Sequence, residues 1–191
     1  LIIAEVLENI NRVRVVTDRL LQSHANNLAL VELTLGPLLE DFVEVSHDEP
    51  LLNPEVVHYY GISLGGIQGA SQTALSPRIS RSVLAVPGAG WVNLIQRSTQ
   101  FQPLEVYFDN FYPDPLVQLV LLGMSQTFFD WSDPGNLTHL LSEAASPKDI
   151  VLQEAIGDCQ VANMTTDLLA RAMNASHLEN ATDPIWGLDT V

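Results

Sequence analysis

Three short runs of β-branched, aromatic and aliphatic residues, each closed by a glycine- or proline-bearing turn, set the frame of the chain. Val56-Val57-His58-Tyr59-Tyr60 follows Asn53-Pro54 and reads as a strand leaving a turn. Ile79 to Val86 reads as a second strand, closed by Pro87-Gly88-Ala89-Gly90, and Asp149 to Ile156 as a third, ending at Gly157-Asp158. Between the first two, Gly66 to Leu75 predicts a helix stopped near Ser76-Pro77, and its small first turns can lie close against a sheet. Thr165 to Met173 predicts a further helix after the third strand. From about Val16 to Leu39 the positions Leu20, Leu21, Leu28, Leu30, Val31, Leu33 and Leu35 keep helical spacing, which predicts a helix packed on the sheet. Leu1 to Val15 stays open between a helix and a short extended piece at Val13-Arg14-Val15, and Glu40 to Pro54 reads as an acidic loop. Strand, helix, strand implies a parallel pair, so the fold class is α/β: a parallel doubly wound sheet with covering helices, in a single domain over 1–191.

The turn between the first strand and its helix carries the chemistry. Gly61-Ile62-Ser63-Leu64-Gly65 places a serine between two glycines at the spacing of a strand-to-helix elbow, where side chains two before and two after the serine would collide. Ser63 would then stand beside the helix's amino end. The N–H of Leu64, with the helix dipole behind it, would point at the place where an oxyanion forms. The alternative is a glycine-rich turn with a bystander serine.

About sixty residues separate the second and third strands, far more than a crossover needs. Residues 91–148 are therefore expected to form a lid- or cap-like helical insertion. Trp91, Phe101, Tyr107, Phe108, Phe111, Tyr112, Phe128, Phe129 and Trp131 fall here, nine of the chain's thirteen aromatics. A cap would use them to exclude water and line an acyl or aryl pocket; ordinary covering helices would use them as an inner face.

Composition narrows the functions. Of 191 residues, 47% are hydrophobic and 16% charged, which excludes a disordered or fibrous chain. The formal charge of −15, from 23 acidic and 8 basic residues with Lys148 the sole lysine, excludes a phosphate-backbone binder, so nucleic acid is not an expected partner. One cysteine, Cys159, forms no internal disulfide, and no Cys and His spacing resembles a zinc site, so neither a metal nor a cofactor is expected. No apolar run is long enough to span a membrane, and no basic leader opens the chain. Localisation stays open, with a secreted or periplasmic setting one reading of the acidic surface. Sequons at Asn136, Asn163, Asn174 and Asn180 are read as coincidence.

Taken together, Tyr60-Gly61-Ile62-Ser63-Leu64-Gly65-Gly66-Ile67-Gln68-Gly69, Val83-Leu84-Ala85-Val86-Pro87-Gly88-Ala89 and the run Gln153 to Asn163 resemble the α/β-hydrolase family, and within it bacterial serine esterase- or lipase-like members. The resemblance covers most of the chain. It implies the order serine, acid, histidine, with the acid just after the second strand beyond the serine strand, which is where Asp158 stands. That carboxylate would fix the histidine's tautomer and stabilise its imidazolium. Asp158 also suits a turn that caps the next helix; Glu154, Asp130 and Asp133 are the other acids.

The resemblance further implies a histidine in a loop after one more strand. None of His24, His47, His58, His139 and His177 has that placement; His177, nineteen residues after Asp158, has the right chain order and is taken as the base. The second oxyanion donor of the family has no counterpart before Ser63, and the early strands are not recognised. The chain is thus expected to be an internal part of a longer hydrolase, with little turnover of its own. The expected function is ester hydrolysis through an acyl-enzyme on Ser63, on a small-molecule ester with an apolar or aryl acyl group. The alternatives are a non-catalytic binding or scaffold module of the same fold and a peptidase or acyltransferase. A serine strand left at the sheet edge predicts self-association.

Overall fold

The computed structural model describes residues 2–39, 41, 52–142, 147–181 and 183–191. The chain opens with α1 (Ile2–Glu8), a 3-10 turn at Ile10–Arg12 and the long α2 (Arg14–Leu35). The open reading of the first fifteen residues thus resolves as helix. The Asn9 side chain caps the turn by accepting from the Asn11 N–H, and Val6, Leu7 and Val13 are buried. There follow β1 (Val57–Ile62), α3 (Leu64–Leu75), β2 (Ile79–Ala85), α4 (Trp91–Arg97), α5 (Gln102–Phe111), α6 (Pro115–Phe129), α7 (Pro134–Leu137), α8 (His139–Ser142), β3 (Asp149–Gln153) and α9 (Asn163–Ala172). The acidic loop expected at 40–54, and His47 within it, fall largely or wholly outside the described residues.

The three strands form one sheet in the order β1-β2-β3, parallel throughout, with Gly61 opposite Leu84 and Leu84 opposite Leu152. The expected parallel α/β arrangement is therefore present. Side chains alternate across the sheet. Tyr59 and Gly61, Ser82 and Leu84, and Ile150 and Leu152 share one face, where α3 and α9 cover them; Ala70, Leu84, Ala89 and Leu169 are the buried centre of that layer. The opposite face carries Tyr60, Val83 and Val151 in one row and Ile62, Ala85 and Gln153 in the next. Tyr60, Ile62 and Val151 are exposed there, so among the described residues the double covering of a doubly wound sheet is present on one face only.

α2 packs chiefly on α3 and not on the sheet, which corrects the sequence expectation. Its polar stripe is the reason: Ser23 Oγ donates to Gln68 Oε1 (3.4 Å), and His24 Nδ1 lies 3.3 Å from Gln72 Oε1. Glu32, near the helix's end, pairs with Arg78. The small residues of α3, Gly66, Gly69, Ala70 and Thr73, take the sheet side instead. At the amino edge of the sheet Lys148 Nζ donates to the carbonyls of Ser76 (2.5 Å) and Ile79 (2.7 Å), tying the end of α3 and the start of β2 to β3; desolvation there lowers its pKa.

The described residues between β2 and β3 are largely helical, from α4 to α8. Trp91 stacks on Phe129 with ring centroids 5.9 Å apart, and both join Val6, Val13, Ile67, Val92, Leu94 and Val161 in a second core. Phe108 packs on Tyr112 at 5.1 Å, whereas Tyr107, Phe111 and Trp131 are exposed. Four of the nine aromatics, Trp91, Phe108, Tyr112 and Phe129, thus act as the inner face of covering helices. No helix among the described residues is long and apolar enough to cross a membrane.

Candidate active site at the carboxyl edge of the sheet

β1 ends at Ile62, α3 begins at Leu64, and Ser63 between them has φ 56° and ψ −120°. An L-residue is held in such a conformation at a cost of about 1–3 kcal/mol, and only where its surroundings over-determine it. They do so here. The Ser63 N–H donates to the Ala85 carbonyl at the end of β2 (3.0 Å), and the Ser63 carbonyl accepts from Ile67 N (2.9 Å) as the first bond of the helix. A side chain at Gly61 would put its Cβ 2.2 Å from the Gly65 carbonyl oxygen, and one at Gly66 would put it 2.3 Å from the Ala85 oxygen. Gly65 itself is not constrained in this way: a Cβ there would meet only Tyr59 Oη, at 3.8 Å. The collision that the motif spacing implies is one-sided.

Ser63 is half-buried, and no hydrogen bond to its Oγ forms among the described residues. The N–H groups of Leu64, Gly65 and Gly66 belong to the first turn of α3, where an α-helix offers no internal acceptor. They share the helix's positive end with Ser63. The Leu64 side chain is exposed.

Beside the elbow stands a second strained residue that the sequence did not flag. Val86, the residue after β2, has φ 44°. β-Branched residues are genuine outliers in that region, and the following Pro87 disfavours it further. Val86 N donates to Gln153 O on β3 (2.7 Å), and its side chain packs against the cluster that holds Ile67 and Val161. The next residues are clamped to α9: Thr166 Oγ1 donates to the Pro87 carbonyl (2.6 Å) and Ala89 N to that of Thr165 (2.9 Å).

Asp158 lies in the loop that leaves the carboxyl end of β3, as expected, and its Oδ1 accepts from Gln160 N (2.7 Å) and Val161 N (3.0 Å). That is the turn-forming role. Asn163, first residue of α9, braces the same loop through Ala155 O and Gly157 N, both at 2.7 Å. Its side chain is thus committed to the loop. Glu154 stands one residue past β3 with Oε1 buried and unpartnered among the described residues. Burial pushes its carboxyl up, as do Asp167 and Asp183, while the nearby Asn163 amide and, least, the charge of His177 oppose this. The sequence reading placed Glu154 inside the strand, whereas β3 ends one residue before it, at Gln153.

The histidines divide by location. His24 is buried between α2 and α3, His58 lies on the exposed sheet face, and His139 Nδ1 donates to Asn136 O (2.9 Å). His177 is pinned by its backbone, with N donating to Asp189 O (2.6 Å) and O accepting from Val191 N (2.7 Å). None is brought into hydrogen-bond contact with Ser63. Asp133, an acid candidate between β2 and β3, is buried. It accepts from Gly90 N (3.1 Å), Trp91 N (2.8 Å), Gly135 N (3.0 Å) and Gln126 Nε2 (3.0 Å), which makes it a structural clamp for the start of α4. Asp130 accepts from Gln126 (3.2 Å) and lines, with Ala89, Asn93, Leu119, Asp133 and Leu168, a cavity of about 580 Å³ that does not reach Ser63. No group of three or more His, Cys, Asp or Glu side chains able to hold a metal forms among the described residues. Comparison with known protein families, characterised proteins and solved structures finds no match to this chain.

Proposed function

We propose that this chain carries the nucleophile of a serine hydrolase of the α/β-hydrolase kind, acting on carboxylic esters with an apolar or aryl acyl group. The observation that carries the reading is the backbone of Ser63, φ 56° and ψ −120°, at the junction of a parallel strand and a helix amino end. A strained serine there is lifted clear of the sheet with helix N–H groups beside it. In this reading Ser63 Oγ attacks the ester carbonyl as a histidine takes its proton, and the Leu64 N–H donates to the oxyanion. The carbon–oxygen bond to the alcohol then breaks, the histidine's proton goes to the leaving alkoxide, and water releases the acid from the acyl-enzyme. Asp158 is the acid that the chain order assigns, and His177 the histidine. The buried, unpartnered Oε1 of Glu154, just past β3, supports Glu154 as the competing acid.

A second reading is a binding module of the same fold, without turnover. It is favoured by the engagement of Asp158 in its own turn and of His177 with Asp189 and Val191. Labelling with a fluorophosphonate separates the two. Labelling of the intact chain that vanishes in Ser63→Ala supports the hydrolase. No labelling, together with no release of p-nitrophenol from short-chain esters, leaves the binding module as the better reading.

A further inference from the structure

Two residues out of normal backbone space flank a single peptide. Ser63, φ 56°, donates its N–H to the carbonyl of Ala85, and the next residue, Val86, has φ 44°. The Ala85 oxygen is also the atom that Gly66, in the first turn of α3, approaches too closely for any side chain. One carbonyl thus touches both sides of the elbow, and the residue bonded to it is strained.

A glycine would adopt the Val86 conformation without strain. The valine side chain has a use that glycine could not serve: it packs against the apolar cluster that includes Ile67, one turn into α3, and Val161, in the loop that follows Asp158. The peptide N–H of Val86 is fixed on the other side by Gln153 of β3. Strain of this kind persists where the surroundings require the side chain to be in that place. We infer that Val86 is a positioning residue for Ser63, a wedge between β2 and the first turn of α3 that holds the Ala85 carbonyl against the Ser63 N–H. The inference rests on the reading of Ser63 as the nucleophile.

The test compares Val86→Gly, Val86→Ala and Val86→Ile in the full chain. Glycine relieves the backbone and removes the wedge, alanine keeps the backbone restraint and trims the wedge, and isoleucine keeps both. Two quantities are read on the folded fraction, established from thermal unfolding: the second-order rate of fluorophosphonate labelling, and the hydrogen-exchange rate of the Ser63 amide by NMR. Labelling is expected to fall on the order of ten- to a hundredfold in the glycine and alanine variants, the scale of a misplaced reacting group, and to be kept in Val86→Ile. The Ser63 amide is expected to exchange about tenfold faster in the same two variants, a loss of roughly 1.4 kcal/mol of local protection. Exchange does not depend on chemistry, so it decides the inference even where the unaltered chain fails to label, a result that would strike only at the nucleophile reading. An unchanged Ser63 exchange rate in Val86→Gly and Val86→Ala overturns the inference whatever the labelling does.

Discussion

The hydroxyl of Tyr59 donates a 2.7 Å hydrogen bond to the carbonyl oxygen of Gly65, reaching from β1 to the first turn of α3 across the elbow that contains Ser63. Burial raises the pKa of this hydroxyl, so it stays a donor through neutral pH. Tyr59→Phe keeps the ring and removes the bond. It is expected to cost about 1 kcal/mol in urea unfolding, the usual worth of one intramolecular hydrogen bond, and to slow Ser63 labelling. Equal stability of the two proteins would mean that the bond contributes nothing to the elbow.

The two glycines of the motif are not equivalent, and substitution should show it. Gly61→Ala drives a methyl group into the Gly65 backbone, 2.2 Å from its carbonyl oxygen, and is expected to destabilise by about 1–3 kcal/mol and to abolish labelling. Gly65→Ala meets only the Tyr59 hydroxyl at 3.8 Å and lies within α3, where alanine is favoured over glycine by about 1 kcal/mol. It is expected to leave the fold intact or more stable. Equal damage from the two substitutions, measured by chemical unfolding, would contradict the one-sided contact.

What was legible in the sequence was local. The runs at Val57, Ile79 and Asp149 became β1, β2 and β3 because β-branched residues between turns specify strands, and the parallel order follows from the intervening helix. The elbow was legible because its steric requirement falls on Gly61, four residues from the atom that it avoids. Val86 was not: a valine at a strand end before proline argues for extended backbone, and its φ of 44° is imposed by clamps to Gln153, Thr165 and Thr166 far along the chain. Nor was the place of α2, because hydrophobic spacing marks a helix without saying which layer receives it, and the polar pairing through Ser23 and His24 decided that.

His24 makes stability depend on pH. It is buried with Gln72; its Nδ1–H donates to Gln72 Oε1, and its Nε2 has no partner among the described residues. Desolvation lowers its pKa below 6.5, against a smaller opposing effect of the Gln72 bond. The unfolded chain therefore takes up a proton before the folded one. The stability contributed by neutral His24 is whole above pH 6.5 and declines as pH falls from there through the folded pKa, at up to about 1.4 kcal/mol per pH unit. Urea midpoints measured from pH 7.5 downward should fall accordingly, and His24→Met should flatten that part of the profile. A profile with the same slope in the variant would assign the effect to another group.

Among the described residues no strand pairs with the outer edge of β1. Because Ser63 N pairs with Ala85 O, alternation along a parallel ladder turns the backbone groups of His58, Tyr60 and Ile62 outward, away from β2. β1 contains no Asp, Glu, Lys or Arg, and its exposed side chains are His58, Tyr60 and Ile62. In a chain of net charge −15, a second copy is expected to approach along this uncharged strip, pairing β1 with β1 about a two-fold axis near Tyr60. Light scattering at tens of micromolar is expected to show dimers whose share rises with salt, as repulsion between the acidic surfaces is screened. Tyr60→Lys places one charge from each copy at the axis and should return the monomer. A chain that stays monomeric at high salt, or dimers indifferent to Tyr60→Lys, would show that the edge of β1 is not where copies meet.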